Sequence, residues 1–143
     1  MTDLETAHNP INLAMIDHVV LRAHDAPRLI AFYCDVLGCR LEKVQDRIGL
    51  WQLRAGASLI DIVSVEGTLG QRFDAPRRDA PNMDHFCLQV EPWDADAILA
   101  HLARHGVSGL EVVTRYGALG EGPSIYLEDP EGNAVELKGP SFA

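Results

Sequence analysis

The sequence repeats itself, and the repeat limits the fold more than any other feature. Ile16-Asp17-His18-Val19-Val20-Leu21 reads like Met83-Asp84-His85-Phe86-Cys87-Leu88, at an offset of 67 residues. Each segment is an apolar residue, Asp and His, then three mostly apolar residues. A helix signal follows in both halves. Asp25 can cap a helix starting at Ala26-Pro27, with Leu29, Phe32, Tyr33 and Val36 at helical spacing and Gly38 as the stop. Asp94 can cap another, with Ile98, Leu99, Leu102 and Ala103 inward and Gly106 as the stop. Three strand-like stretches come next in each half, about 40–44, 48–53 and 58–65, then about 109–114, 124–127 and 133–138. Gly56 and Gly132 mark hairpin turns.

The order β-α-β-β-β, twice, predicts an α+β fold. A four-stranded sheet with one helix leaves one face uncovered. Two paired βαβββ modules then form a curved eight-stranded mixed sheet, helices outside, with a hollow that can take a ligand. The expected boundaries are an N-terminal arm at 1–15, a first module at 16–66, a linker at 67–82 and a second module at 83–139, all one domain from 16 to 139. The last strands match as Leu59-Ile60-Asp61-Ile62 against Ala134-Val135-Glu136-Leu137, at an offset of 75. The added residues fall in a Gly-rich loop, 116–123, present only in the second half. Trp51 and Tyr126 match as the aromatic residues of the strand before the last.

Alternation along strands singles out four polar residues. His18 shares a face with Ile16 and Val20, His85 with Met83 and Cys87, Asp61 with Leu59 and Val63, and Glu136 with Ala134 and Lys138. A carboxylate buried without a partner in such a strand costs several kcal/mol, and a cation is a simple compensation. Two imidazoles with one or two carboxylates suit Zn²⁺, Ni²⁺, Fe²⁺, Mn²⁺ or Co²⁺. Two His and one carboxylate leave positions open for substrate, so the expected cofactor is one catalytic divalent metal held by His18, His85 and Glu136. By contrast, Asp17 and Asp84 alternate to the other face and are expected to meet solvent or cap loops. His24, His101 and His105 read as structural or surface residues, and Cys34 and Cys39 as packing residues.

Composition removes several alternatives. The net charge of −9 and the lack of clustered Lys and Arg argue against nucleic acid. No apolar run approaches the roughly 20 residues of a membrane span. Residues 1–10 lack the features of a signal peptide, and three cysteines cannot all pair within the chain, so a cytoplasmic protein is expected.

The same segments resemble the vicinal oxygen chelate superfamily, which includes glyoxalase I, fosfomycin-resistance enzymes, bleomycin-binding proteins and extradiol dioxygenases. The resemblance is carried by Ile16-Asp17-His18-Val19-Val20-Leu21, Phe32-Tyr33-Cys34-Asp35-Val36-Leu37-Gly38, Met83-Asp84-His85, and the run from Leu127 through Asp129-Pro130-Glu131-Gly132-Asn133 to Glu136-Leu137. It implies the paired-module fold, a metal at His18, His85 and Glu136, a small-molecule substrate chelating through adjacent oxygens, and in many members a homodimer whose sites draw on both chains. Asp61 stands where glyoxalase I carries a further carboxylate ligand. Being one methylene shorter counts against direct ligation, and the alternatives are a ligand through water, a proton acceptor or neither. Glu136 and Asp61 are the candidate catalytic carboxylates. Gly120 to Tyr126 is similar to a phosphonate-contacting loop of fosfomycin-resistance enzymes, which makes Ser124 and Tyr126 substrate-side candidates, with Trp51 from the first half. The chain ends soon after Glu136, without the basic extension those enzymes use. The implied chemistry is a glyoxalase-like lyase or isomerase. The alternatives are an iron-dependent ring-opening dioxygenase, an epoxide-opening resistance enzyme and a metal-free bleomycin-type binder.

Overall fold

The computed structural model describes residues 9–143. Part of the expected N-terminal arm, residues 1–8, lies outside them. Residues 11–17 are exposed and without regular secondary structure.

Alternation and capping build the first module as expected. Strand β1 (His18–Ala23) buries Leu21 and Ala23 on one face and exposes His18 and Val20 on the other. Asp25 then caps helix α1 (Ala26–Ala31), its carboxylate accepting from the Arg28 amide, with Pro27 in the first turn. A π-helical turn, Phe32–Val36, continues α1, and Gly38 leaves it with φ +80°. Strands β2 (Arg40–Gln45), β3 (Leu50–Ala55) and β4 (Ser58–Ser64) complete the module. Their order is β1-β4-β3-β2, with β1 parallel to β4 and the others antiparallel.

The second module repeats this plan. β5 (Phe86–Gln89) leads into α2 (Ala95–Arg104), capped by Asp94, and β6 (Val113–Gly117), β7 (Gly120–Glu128) and β8 (Ala134–Lys138) follow in the order β5-β8-β7-β6. The chain thus holds two mixed four-stranded sheets in paired βαβββ modules. Residues 116–123, expected as a loop, are instead a continuous hairpin in which Gly117 pairs with Gly120. The glycines there are spacers. A Cβ on Gly117 would meet Lys138 Cε at 2.7 Å, and one on Gly122 would meet the Pro140 carbonyl oxygen at 2.6 Å. They let the Lys138 side chain and the C-terminal segment lie against the hairpin, where Lys138 Nζ donates to the carbonyls of Arg115 and Gly122.

One apolar core runs through both modules. Leu29, Tyr33, Leu53, Ile60 and Ile62 from the first meet Leu102, Ile125, Val135 and Leu137 from the second. Burying each such side chain contributes about 1.5–3 kcal/mol. Polar bonds fix the junction. The Tyr33 hydroxyl donates to Asp129 Oδ2 at 2.7 Å, and Glu131 accepts from the backbone amides of His24 and Asp25. His101 Nε2 lies 2.8 Å from the Val36 carbonyl, a structural role as expected. The linker is also held, because Arg22 donates to the carbonyls of Gly70, Phe73 and Asp74. The helices therefore cover one face of each sheet, and the opposite faces carry the polar residues singled out above.

Candidate metal centre

The strand register places the four residues in two matched rows. In the first sheet, Val20, Asp61 and Gln52 are neighbours across β1, β4 and β3. In the second, Cys87, Glu136 and Tyr126 are neighbours across β5, β8 and β7. Each row centres on a buried carboxylate in a parallel–antiparallel junction, and each sheet brings a histidine to it from its edge strand or the residue just before that strand.

In the second module, His85 Nε2 is 3.1 Å from Glu136 Oε1, while Glu136 Oε2 accepts from the Ser124 hydroxyl at 2.6 Å. Burial pushes the Glu136 carboxyl up, but Ser124, Tyr126 and His85 together outweigh it and hold Glu136 below the usual carboxylate value. The Tyr126 ring stands edge-on to His85 at 5.5 Å, and the Arg115 guanidinium lies 5.6 Å from the Tyr126 ring centre. In the first module, His18 Nε2 is 4.0 Å from Asp61 Oδ2, too long for a hydrogen bond. Gln52 donates to that same oxygen at 3.2 Å. Asp61 is 4% exposed, and its other oxygen, Oδ1, has no partner among the described residues.

Both histidines are held from behind in the same way. His18 Nδ1 is 2.7 Å from Asp17 Oδ2, and His85 Nδ1 is 2.7 Å from Asp84 Oδ2. These bonds are the first cause of raised pKa values in both rings, against burial, with Asp61 and Glu136 adding to the effect. The expectation that Asp17 and Asp84 turn away from the histidines is thereby corrected. Strand β1 begins at His18 and β5 at Phe86, so each Asp lies outside the alternating segment and is free to fold back.

The sequence model of the Glyoxalase/Bleomycin resistance protein/Dioxygenase superfamily matches residues 15–137, a span that contains both rows. The chain belongs to this superfamily. It is 31% identical over 128 residues to the glyoxalase domain-containing protein RDO1 of Mycosarcoma maydis, covering 89% of this chain and 69% of that one. It is also 31% identical to the virulence protein STM3117 of Salmonella typhimurium, over 85% of this chain and 81% of that one. The crystal structure of STM3117 superposes with a TM-score of 0.72 at 28% identity, covering 91% of this chain and 99% of that one. For the fold alone, lactoylglutathione lyase from Agrobacterium tumefaciens gives a TM-score of 0.65 at 24% identity, over 92% of this chain and 96% of that one.

Within this superfamily chain the site residues fall unequally. His85 and Glu136 are brought together, as are His18 and Asp61, but among the described residues no cluster of three such side chains forms. Trp51 is a correction. It pairs with Ile62 and packs on the core, on the face opposite Asp61. The residue equivalent to Tyr126 is Gln52, one position on, and a one-residue slip in a strand reverses the face. Ser124 is on the site face but fully buried, with its hydroxyl on Glu136, so it supports that carboxylate and is closed to substrate. Cys87 was placed on the face of His85 without a role, and its register opposite Glu136 follows once the strands are paired.

The donor set fits a divalent metal on two counts. Each Nε2 is turned to a sheet carboxylate while Nδ1 is engaged, the usual arrangement of a metal-binding histidine. The unpartnered Asp61 oxygen is a buried acceptor left over for a cation or a proton.

Proposed function

We propose that this chain is a metal-dependent enzyme of the vicinal oxygen chelate type, a glyoxalase-like lyase or isomerase acting on a small substrate with two adjacent oxygens. The observation that carries the reading is the pair of half-sites, each with a histidine Nε2 facing a buried carboxylate on an uncovered sheet face. His18, His85 and Glu136 would hold one divalent ion. Such an ion, when bound, acts as a Lewis acid toward both substrate oxygens.

The chain's own residues divide the remaining work. Both oxygens of Glu136 are engaged, by His85 and Ser124, which suits a ligand. A carboxylate, Glu136 or Asp61, would move the proton between neighbouring substrate carbons. Asp61 Oδ1 is unpartnered among the described residues but buried, so Asp61 would act through a cation or a water reaching its carboxylate. Tyr126 lies beside Glu136 with Arg115 on its ring, and the two would orient the rest of the substrate.

The reading includes a homodimer. β1 and β5 are edge strands, and they lead from or follow the two histidines. Joining β1 of one copy to β5 of a second would continue the two sheets into an eight-stranded one. It would bring His18 of one copy to the His85–Glu136 pair of the other. Val20, beside Asp61 on that face, is 51% exposed in the single chain, as an apolar residue awaiting cover would be.

Metal analysis after reconstitution is the test, followed by turnover of a methylglyoxal–thiol adduct with Ni²⁺ or Zn²⁺. About one equivalent per chain is expected, lost in His85→Ala. Uptake below about a tenth of an equivalent would overturn the metal reading. Oxygen uptake on catechols by the iron-loaded protein, with no turnover of the thiol adduct, would replace the lyase by a ring-opening dioxygenase.

A further inference from the structure

Neighbouring residues in extended chain point their side chains to opposite faces. At Asp17-His18 and again at Asp84-His85 the two side chains turn toward each other, with the same atoms at the same 2.7 Å. The departure recurs at the matched positions of the repeat, once in each module. An ionised carboxylate can only accept a hydrogen bond, so Nδ1 is the donor in both contacts. In a neutral imidazole the proton on Nδ1 leaves Nε2 bare. In the first sheet that bare nitrogen faces Asp61; in the second, Nε2 lies 3.1 Å from Glu136 Oε1 and also donates there until a cation takes the proton's place.

We propose that Asp17 and Asp84 are positioning residues, which hold His18 and His85 with Nδ1 as donor and present Nε2 to the carboxylate face. Magnitudes separate this role from a stabilising one. The Asp17 and Asp84 side chains are 88% and 97% exposed. Exposed pairs of this kind contribute little to folding. Their effect is on ring orientation and tautomer, which decide whether a histidine can accept a cation on the sheet side. The consequence for metal uptake rests on the proposed function, whereas the tautomer does not.

The test uses the full chain with ¹⁵N-labelled histidine, metal-free, at a pH where the ring is neutral. Long-range proton–nitrogen spectra should show His18 as the Nδ1–H tautomer in the wild type. In Asp17→Ala it should revert toward the Nε2–H form that free histidine side chains prefer, with an unchanged melting temperature. Asp17→Asn, whose side-chain oxygen still accepts, should keep the wild-type tautomer in larger part. Zinc affinity, measured against a competing chelator, should fall about 10–100-fold in Asp17→Ala and in Asp84→Ala and recover partly in the Asn variants. An identical His18 tautomer in the wild type and Asp17→Ala would overturn the assignment. A tautomer that switches in a protein taking up no zinc would support the positioning role and overturn the metal function instead.

Discussion

Cys87 lies across from Glu136 on the neighbouring strand, and burial, followed by the charge of Glu136, pushes its thiol up to about 11. Burial does the same at Cys39, also to about 11. The Cys87 residue is nonetheless exposed, so access alone would make it reactive. At pH 8 a thiol of pKa 11 is about 0.1% ionised, against roughly a quarter for an ordinary cysteine. Its greater intrinsic nucleophilicity recovers about tenfold of that. Cys87 should therefore react with a disulfide reagent at least about tenfold more slowly than a free thiol. The rate should rise close to tenfold per pH unit between 8 and 10, because the thiolate fraction does. A rate at pH 8 equal to that of free cysteine would mean that Cys87 does not share the Glu136 environment. Single residues were legible in the sequence to different degrees. His18, Asp61, His85 and Glu136 stood out because the repeat pairs His18 with His85 and Asp61 with Glu136. Gln52 and Cys87 did not, since their meaning depends on register. Asp17 and Asp84 meet solvent as expected, but their turn toward the histidines was missed because alternation was extended beyond the strand ends.

The hairpin from β6 to β7 shows what local signals miss in an element. Glycines at 117, 120 and 122 suggested a loop, yet the strands run through them. Their small size serves neighbours far along the chain, which no local pattern reveals. The two spacers differ in what they protect, and so do their expected costs. Gly122→Ala drives a Cβ against the Pro140 backbone and should destabilise by about 1–3 kcal/mol, the scale of overpacking. Gly117→Ala meets the far end of the Lys138 side chain, which can move, and should cost less than Gly122→Ala. Urea unfolding of both variants checks the order, and the reverse order would place the C-terminal segment elsewhere. The strands and helices themselves were legible, because capping by Asp25 and Asp94 and the apolar faces of β1, β4, β7 and β8 are local properties.

At the scale of the whole molecule, two kinds of contact are separable. Contacts within the chain join the modules through the core and through Tyr33–Asp129. Asp129 also accepts from the Glu131 and Asn133 amides and the Asn133 side chain, so Tyr33→Phe leaves it satisfied and should cost about 1–2 kcal/mol. Unfolding in urea with an unchanged slope is the measure. Contacts between chains are the ones the proposed metal centre needs, and they bear on the uncovered face. The sequence carried the proposed ligand set but had no signal for which copy would supply which ligand, since edge strands pair equally well within and between chains. Val20 separates the two. It is half-exposed on the site face of β1 and absent from the core, so Val20→Arg adds a bulky cation without a new metal ligand and leaves the folded chain intact. Light scattering should show wild type as a dimer and Val20→Arg as a monomer of wild-type melting behaviour. Metal uptake should fall together with dimerisation, because His18 then loses its route to His85 and Glu136. A monomeric Val20→Arg that still binds one equivalent of metal would place all three ligands within one chain and require the two modules to close on each other.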